Sequence, residues 1–115
     1  MTILRKQTSP RMSQVVVHGD TVYLAGQVPD DFTAPVAEQT RQVLSRIDRL
    51  LGEVGSERSK ILSAQVWLAD IGDFDAMNEI WEAWVDHDSP PARATCAVVL
   101  AHPAIRVEVI VVAAL

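Results

Sequence analysis

Apolar and polar residues first alternate along this chain with the period of a strand and then with that of a helix. Thr2 to Lys6 is a short strand candidate. Gln14 to His18 reads Gln-Val-Val-Val-His, a β-branched run that predicts a strand. Thr21 to Val28 alternates, with Val22, Leu24 and Gly26 on one face and Tyr23, Ala25 and Gln27 on the other. His18-Gly19-Asp20 lies between the last two runs and predicts a hairpin turn, and Pro29-Asp30-Asp31 ends the pair.

Helical spacing begins at Ala34 and lasts to Val54, where Val36, Val43, Ile47, Leu50, Leu51 and Val54 form one apolar stripe. Thr33 is the expected N-cap, Pro35 suits the first turn, and Gly55 suits the C′ position. Glu38, Arg41, Arg46, Asp48 and Arg49 make the opposite, solvated face. Ile61 to Leu68 returns to strand alternation. Asp73 is placed to cap a second helix, Phe74 to Asp86, with Phe74, Met77, Trp81 and Trp84-Val85 as its stripe. Ser89-Pro90-Pro91 stops it. Two strands follow, Ala92 to Leu100 and Arg106 to Ala114, and the short link Ala101 to Ile105 predicts that they pair antiparallel.

The order of elements predicts an α+β fold: one domain over residues 1–115, with a mixed sheet and two helices packed on one of its faces. The other face still carries Val, Ile and Ala from the last two strands, so self-association is expected.

Composition narrows the function. The net charge is -5 and the ten Lys and Arg are scattered, which disfavours nucleic acid as a partner. Cys96 is the one cysteine, so no internal disulfide can form, and the start of the chain has no signal-peptide apolar region. A cytoplasmic protein is expected, with no membrane partner. His18, His87 and His102 match no metal-ligand spacing, so no metal is expected. Dinucleotide, phosphate-loop and hydrolase-elbow motifs are missing, so NAD, ATP and α/β-hydrolase readings have no support.

Two charges interrupt apolar strands. Arg93 opens Ala92-Arg93-Ala94-Thr95-Cys96, and Glu108 interrupts Val107-Glu108-Val109-Ile110. Such charges are paired, solvated or used. Used, Arg93 offers a planar donor fork for a substrate carboxylate, and Glu108 a base for a water. Otherwise they are an edge-strand arginine and a solvated glutamate. Asn78 shares the stripe of Phe74, Met77 and Trp81 and reads as a structural amide. In a regular strand Cys96 points away from Arg93, which reads as a small buried apolar residue.

These pieces together resemble the Rid (YjgF-like) family of reactive-intermediate deaminases. The resemblance runs through Leu24-Ala25-Gly26-Gln27-Val28-Pro29, Glu38-Gln39-Thr40, Val66-Trp67-Leu68-Ala69-Asp70, Met77-Asn78, Pro91-Ala92-Arg93 and Val107-Glu108-Val109. It is nearest a side branch of that family. It implies a chorismate-mutase-like fold and a homotrimer with clefts between subunits. It also implies hydrolysis of enamines and imines to 2-oxo acids and ammonia without metal or cofactor. In such a site Arg93 clamps the carboxylate, Glu108 activates the water, and Thr95, Met12 and Ala25 line the substrate pocket. A trimer that binds small carboxylates without turnover is the alternative. The chain departs from the best-known members: Met12 stands for a Tyr, Ala25 for a Ser and Thr95 for a Cys. The interval from Arg93 to Pro103 is also one residue longer, from an insertion in the turn or from a β-bulge that brings Cys96 round.

Overall fold

The computed structural model describes the whole chain, Met1–Leu115. Six strands form one sheet: β1 (Ile3–Thr8), β2 (Ser13–His18), β3 (Thr21–Leu24), β4 (Ile61–Leu68), β5 (Ala92–Ala97) and β6 (Val107–Ala114). Their order across it is β1-β2-β3-β6-β4-β5. All neighbours run antiparallel except β4 and β5, which are parallel. Helices α1 (Val36–Glu53) and α2 (Phe74–Trp84) pack on one face. This is the α+β architecture that the sequence pattern predicts.

The pattern acts through burial. Val43, Ile47 and Leu51 of α1 are sealed against Val107, Val109, Val111 and Ala113 of β6 and Val22 and Leu24 of β3. A Leu or Ile truncated to Ala in such a layer costs about 2–5 kcal/mol. Gly55 ends α1 at φ +80, as expected of a C′ residue. Its N–H donates to the Gly52 carbonyl at 3.3 Å, and that of Ser56 donates to Leu51 at 2.9 Å. At the other end the N-cap is Pro35, with no side-chain cap. Thr33 turns instead to Asp31, donating both its N–H and its hydroxyl. Asp73 stands at the N-cap of α2 without capping it, because its carboxylate pairs with Arg106.

The last two strands depart from expectation. β5 and β6 are not hydrogen-bonded to each other, because β4 lies between them and pairs with both. Parallel pairing of β4 with β5 needs a crossover, and α2 supplies it. β5 also ends at Ala97 rather than Leu100, and β3 at Leu24 rather than Val28. Beyond β3 the chain touches β6 once more through an isolated bridge, Gln27 to Val109.

One buried amide fixes where β6 begins. Gln39, 0% exposed, donates to the carbonyls of Phe32, Ala34 and Ala104, and its Oε1 accepts the Arg106 N–H at 2.7 Å. The start of α1 is thereby tied to the residues that lead into Glu108.

Candidate functional site

Four arginines are half-buried: Arg46, Arg58, Arg93 and Arg106. Three have a carboxylate partner, namely Asp30, Asp48 and Asp73. Arg93 has none. Its guanidinium carbon lies 5.2 Å from the ring centre of Trp81 and 5.9 Å from that of Phe74. One amino group stands 4.0 Å from the Met77 sulfur. Burial pulls the Arg93 pKa down from the usual arginine range, and the Glu82 charge partly offsets this. The group stays cationic at any physiological pH, and no oxygen acceptor claims its donor fork.

The half-buried acids follow the same pattern. Glu38, Asp48 and Asp73 pair with arginines, and Asp86 accepts the Asp88 N–H. The Glu108 carboxylate accepts no hydrogen bond within the chain and has no ion pair. Its burial without compensation pushes the carboxyl above the ordinary carboxylate range. Gly26 makes room for it, since a Cβ at that position would overlap Oε2 and stand 3.0 Å from Cδ.

Register places these two groups. Arg93 aligns with Ala64 of β4, and Ala64 with Val111 of β6. Glu108 aligns with Trp67 of β4, and Trp67 with Cys96 of β5. The two rows are three positions apart on β4. An odd offset puts Arg93 and Glu108 on opposite faces of the sheet, about 14 Å apart from strand spacing and rise alone. Arg93 lies on the helix face against α2. Glu108 lies on the open face, since its neighbours Val107 and Val109 are sealed in the core.

The other site candidates divide in the same way. Thr95 follows Arg93 by two on a regular stretch of β5 and shares its face. Its hydroxyl oxygen is buried without a partner, which costs about 1–3 kcal/mol. Ala25 precedes Gly26, and its N–H donates to the Gln14 carbonyl. Met12 ends the turn before β2, half exposed, where its N–H donates to Ser9 Oγ. Ala25 therefore lies beside Glu108, and Met12 lies at the entry to β2, four strands across the sheet from Arg93 on β5.

β5 contains no bulge, so Cys96 stays on the face opposite Arg93. It is exposed there rather than buried, because that face has no helix over it. Asn78 is half-buried, and its side-chain amide makes no hydrogen bond within the chain. Phe74 and Trp81 were legible only as core positions; a parallel β4–β5 register is what sets Arg93 beside them. Gly26 carried a usable signal, since a glycine inside a strand pattern often marks close approach of another group. No three His, Cys, Asp or Glu side chains cluster in a way that would hold a metal. No helix is long and apolar enough to cross a membrane.

Fold and site together define a small α+β protein with one half-buried arginine and one half-buried glutamate, neither in an ion pair, on opposite faces of its sheet. The sequence profile described as Endoribonuclease L-PSP matches residues 3–115, and the chain belongs to that family, the YjgF or Rid family of its relatives' names. A RutC family protein from Haemophilus influenzae is 46% identical over 114 residues, covering 98% of each chain. A solved member of the YjgF protein family from Neisseria meningitidis superposes with TM-score 0.96 at 41% identity, covering 99% of this chain and 95% of that one. A Rid family protein of unknown function from Yersinia pestis superposes with TM-score 0.87 at 27% identity, covering 94% and 90%.

Proposed function

We propose that the chain hydrolyses 2-imino acids to 2-oxo acids and ammonia, in clefts formed between the copies of a homotrimer. One observation carries this reading: Arg93 and Glu108 are the half-buried charges that the chain leaves without partners. Arg93 suits a substrate carboxylate, which its fork binds through two parallel hydrogen bonds. Glu108, with its raised pKa, suits general-base work on a water. Water adds to the imine carbon while Glu108 takes its proton. The nitrogen accepts protons and leaves as ammonia as the carbon–oxygen double bond forms. Imine and water thus become 2-oxo acid and ammonia, with no redox change.

Two groups on opposite faces cannot meet within one chain. The helix-face edge of one copy, with Arg93 and Thr95, is completed by the open face of another, with Glu108, Ala25 and Met12. The half-buried Val16, Ile110 and Val112 of that open face are suited to contact between copies. A cytoplasmic setting suits the single exposed thiol.

Binding of a small carboxylate without turnover is the second reading, favoured by the fact that Arg93 alone suffices for it. Cleavage of RNA has less support. The net charge is -5, and Arg41, Arg46, Arg58 and Arg106 are already neutralised by carboxylates. The test is ammonia release from freshly generated 2-iminopropanoate and 2-iminobutanoate, against Arg93→Ala. Ammonia from the wild type alone supports the enzyme. Binding of 2-oxobutanoate without any ammonia supports the second reading.

A further inference from the structure

We infer that Trp81, assisted by Phe74, is a positioning residue for Arg93. The rings hold the guanidinium by its face and leave its donor edge free for a ligand carboxylate. The inference rests on the carboxylate-binding role given to Arg93 above and adds the device that keeps the group ready.

A half-buried cation needs compensation for the water it loses. Arg46, Arg58 and Arg106 obtain it from aspartates. An aspartate at Arg93 would neutralise it and occupy the fork. An aromatic face stabilises the cation and uses none of its N–H donors. Trp81 at 5.2 Å and Phe74 at 5.9 Å meet the distance condition for this contact. They lie seven residues apart on α2, two turns along one face.

Trp81 is itself held in place. It is 7% exposed, and its ring lies 5.3 Å from that of Trp84. Trp84 Nε1 donates to Asp48 Oδ2 at 2.9 Å. Arg58 pairs with the same carboxylate, donates to the Trp84 carbonyl at 2.7 Å and stacks on the Trp84 ring. A chain of contacts thus runs from Asp48 on α1 through two indoles to the guanidinium on β5. Ordinary core packing explains an apolar side chain at position 81. It does not explain why the one half-buried arginine without an acid has two rings instead.

The experiment compares Trp81→Leu, Trp81→Phe and Phe74→Leu in the full-length protein, with folding and assembly checked first. Pyruvate is the binding probe, and 2-imino acid turnover gives KM and kcat. The Arg93 Nε–Hε signal is followed by NMR. Trp81→Leu is expected to weaken pyruvate binding and raise KM about 3- to 30-fold, leaving kcat nearly unchanged. Trp81→Phe keeps a ring and should restore most of the loss. Phe74→Leu, at a more exposed position, should show a smaller loss in the same direction and serves if Trp81→Leu does not fold. In the wild type the rings should shift Hε upfield, and Trp81→Leu should abolish that shift. Equal losses in Trp81→Leu and Trp81→Phe, or wild-type affinity in Phe74→Leu and folded Trp81→Leu, would overturn the inference. If the wild type neither binds pyruvate nor releases ammonia, the carboxylate reading fails separately. The NMR signal then decides: a ring-shifted Hε sustains the cradle, and one at its solvent position ends it.

Discussion

Arg93 and Glu108 stand on opposite faces of one sheet, with β4 between their strands. Ala64 marks the Arg93 row and Trp67 the Glu108 row. No rotamer change brings the two groups together, because the sheet itself separates them. In the proposed cleft each would be a half-site, contributed by a different copy.

Arg93 and Glu108 should therefore fail differently when substituted. The carboxylate contact of Arg93 exists in both ground and transition states, so Arg93→Lys should raise KM by about 1.5–3 kcal/mol worth of binding. Lysine keeps the charge and loses the fork, and its ammonium fits the two rings less well. Glu108→Gln keeps the shape and loses the basicity, so kcat should fall about 10²- to 10⁴-fold with pyruvate affinity retained. Steady-state kinetics on assembled protein, with pyruvate titration alongside, checks both. Near-normal kcat/KM in both variants would remove the site assignment.

Gly26 gives a test that replaces no charged residue. It is not at positive φ, so alanine adopts its backbone without strain. The added methyl would meet the Glu108 carboxylate and push it aside. Gly26→Ala should lower kcat by as much as about 10²-fold, the scale of a misplaced catalytic group. Pyruvate affinity should change less than kcat, because the carboxylate is held by the fork of Arg93, which the added methyl does not touch. A variant with unaltered kcat would show that the position of Glu108 does not matter.

Much of this was legible in the sequence, and the exceptions share a cause. The α1 stripe, the β2–β3 hairpin and the C′ role of Gly55 follow from local spacing, and the structure agrees. Arg93 and Glu108 stood out because charge is rare inside apolar strands. Local spacing says nothing about which strand lies beside which, so the short link before Arg106 suggested a β5–β6 pair where β4 intervenes. It likewise could not say that Arg93 and Glu108 face opposite ways, since that depends on the register of both strands against β4. Cys96 was correctly set opposite Arg93, yet its burial depended on which face the helices cover.

Cys96 should be dispensable because, although it is exposed on the same open face as Glu108, Trp67 of β4 stands between them in register, two strands apart. Cys96→Ser should retain turnover, and its melting temperature should shift only slightly, as for a surface position. Loss of turnover in folded, assembled protein would place the thiol in the cleft after all.

The pH dependence follows from Glu108. Burial raises its folded-state pKa above the unfolded value. The folded chain therefore holds this proton more tightly. The associated stability is fully present below the unfolded pKa and is lost as pH rises through the folded pKa. Glu108→Gln removes that loss. Relative to the wild type, its melting temperature should be higher at neutral pH and should lose this advantage in acid. In turnover, the acid limb of kcat should lie above the ordinary carboxylate range, since the base acts only when ionised. Thermal melts and rate profiles over the same pH series check the two signs independently.

The last prediction uses the separation of the half-sites directly. If each cleft takes Arg93 from one copy and Glu108 from another, two inactive variants can repair each other. In a trimer mixed from equal parts of Arg93→Ala and Glu108→Gln chains, some clefts receive the intact arginine of one variant and the intact glutamate of the other. Random assembly makes this about one cleft in four, so activity should return to about a quarter of wild type. The chains must be unfolded and refolded together, because preformed oligomers would not exchange. Mixing the two variants without refolding is the control and should stay inactive. Were the site built within one chain, every mixed cleft would still lack one group, and co-refolding would restore nothing. Recovery of activity therefore distinguishes a shared cleft from an internal one by a measurement that neither variant gives alone.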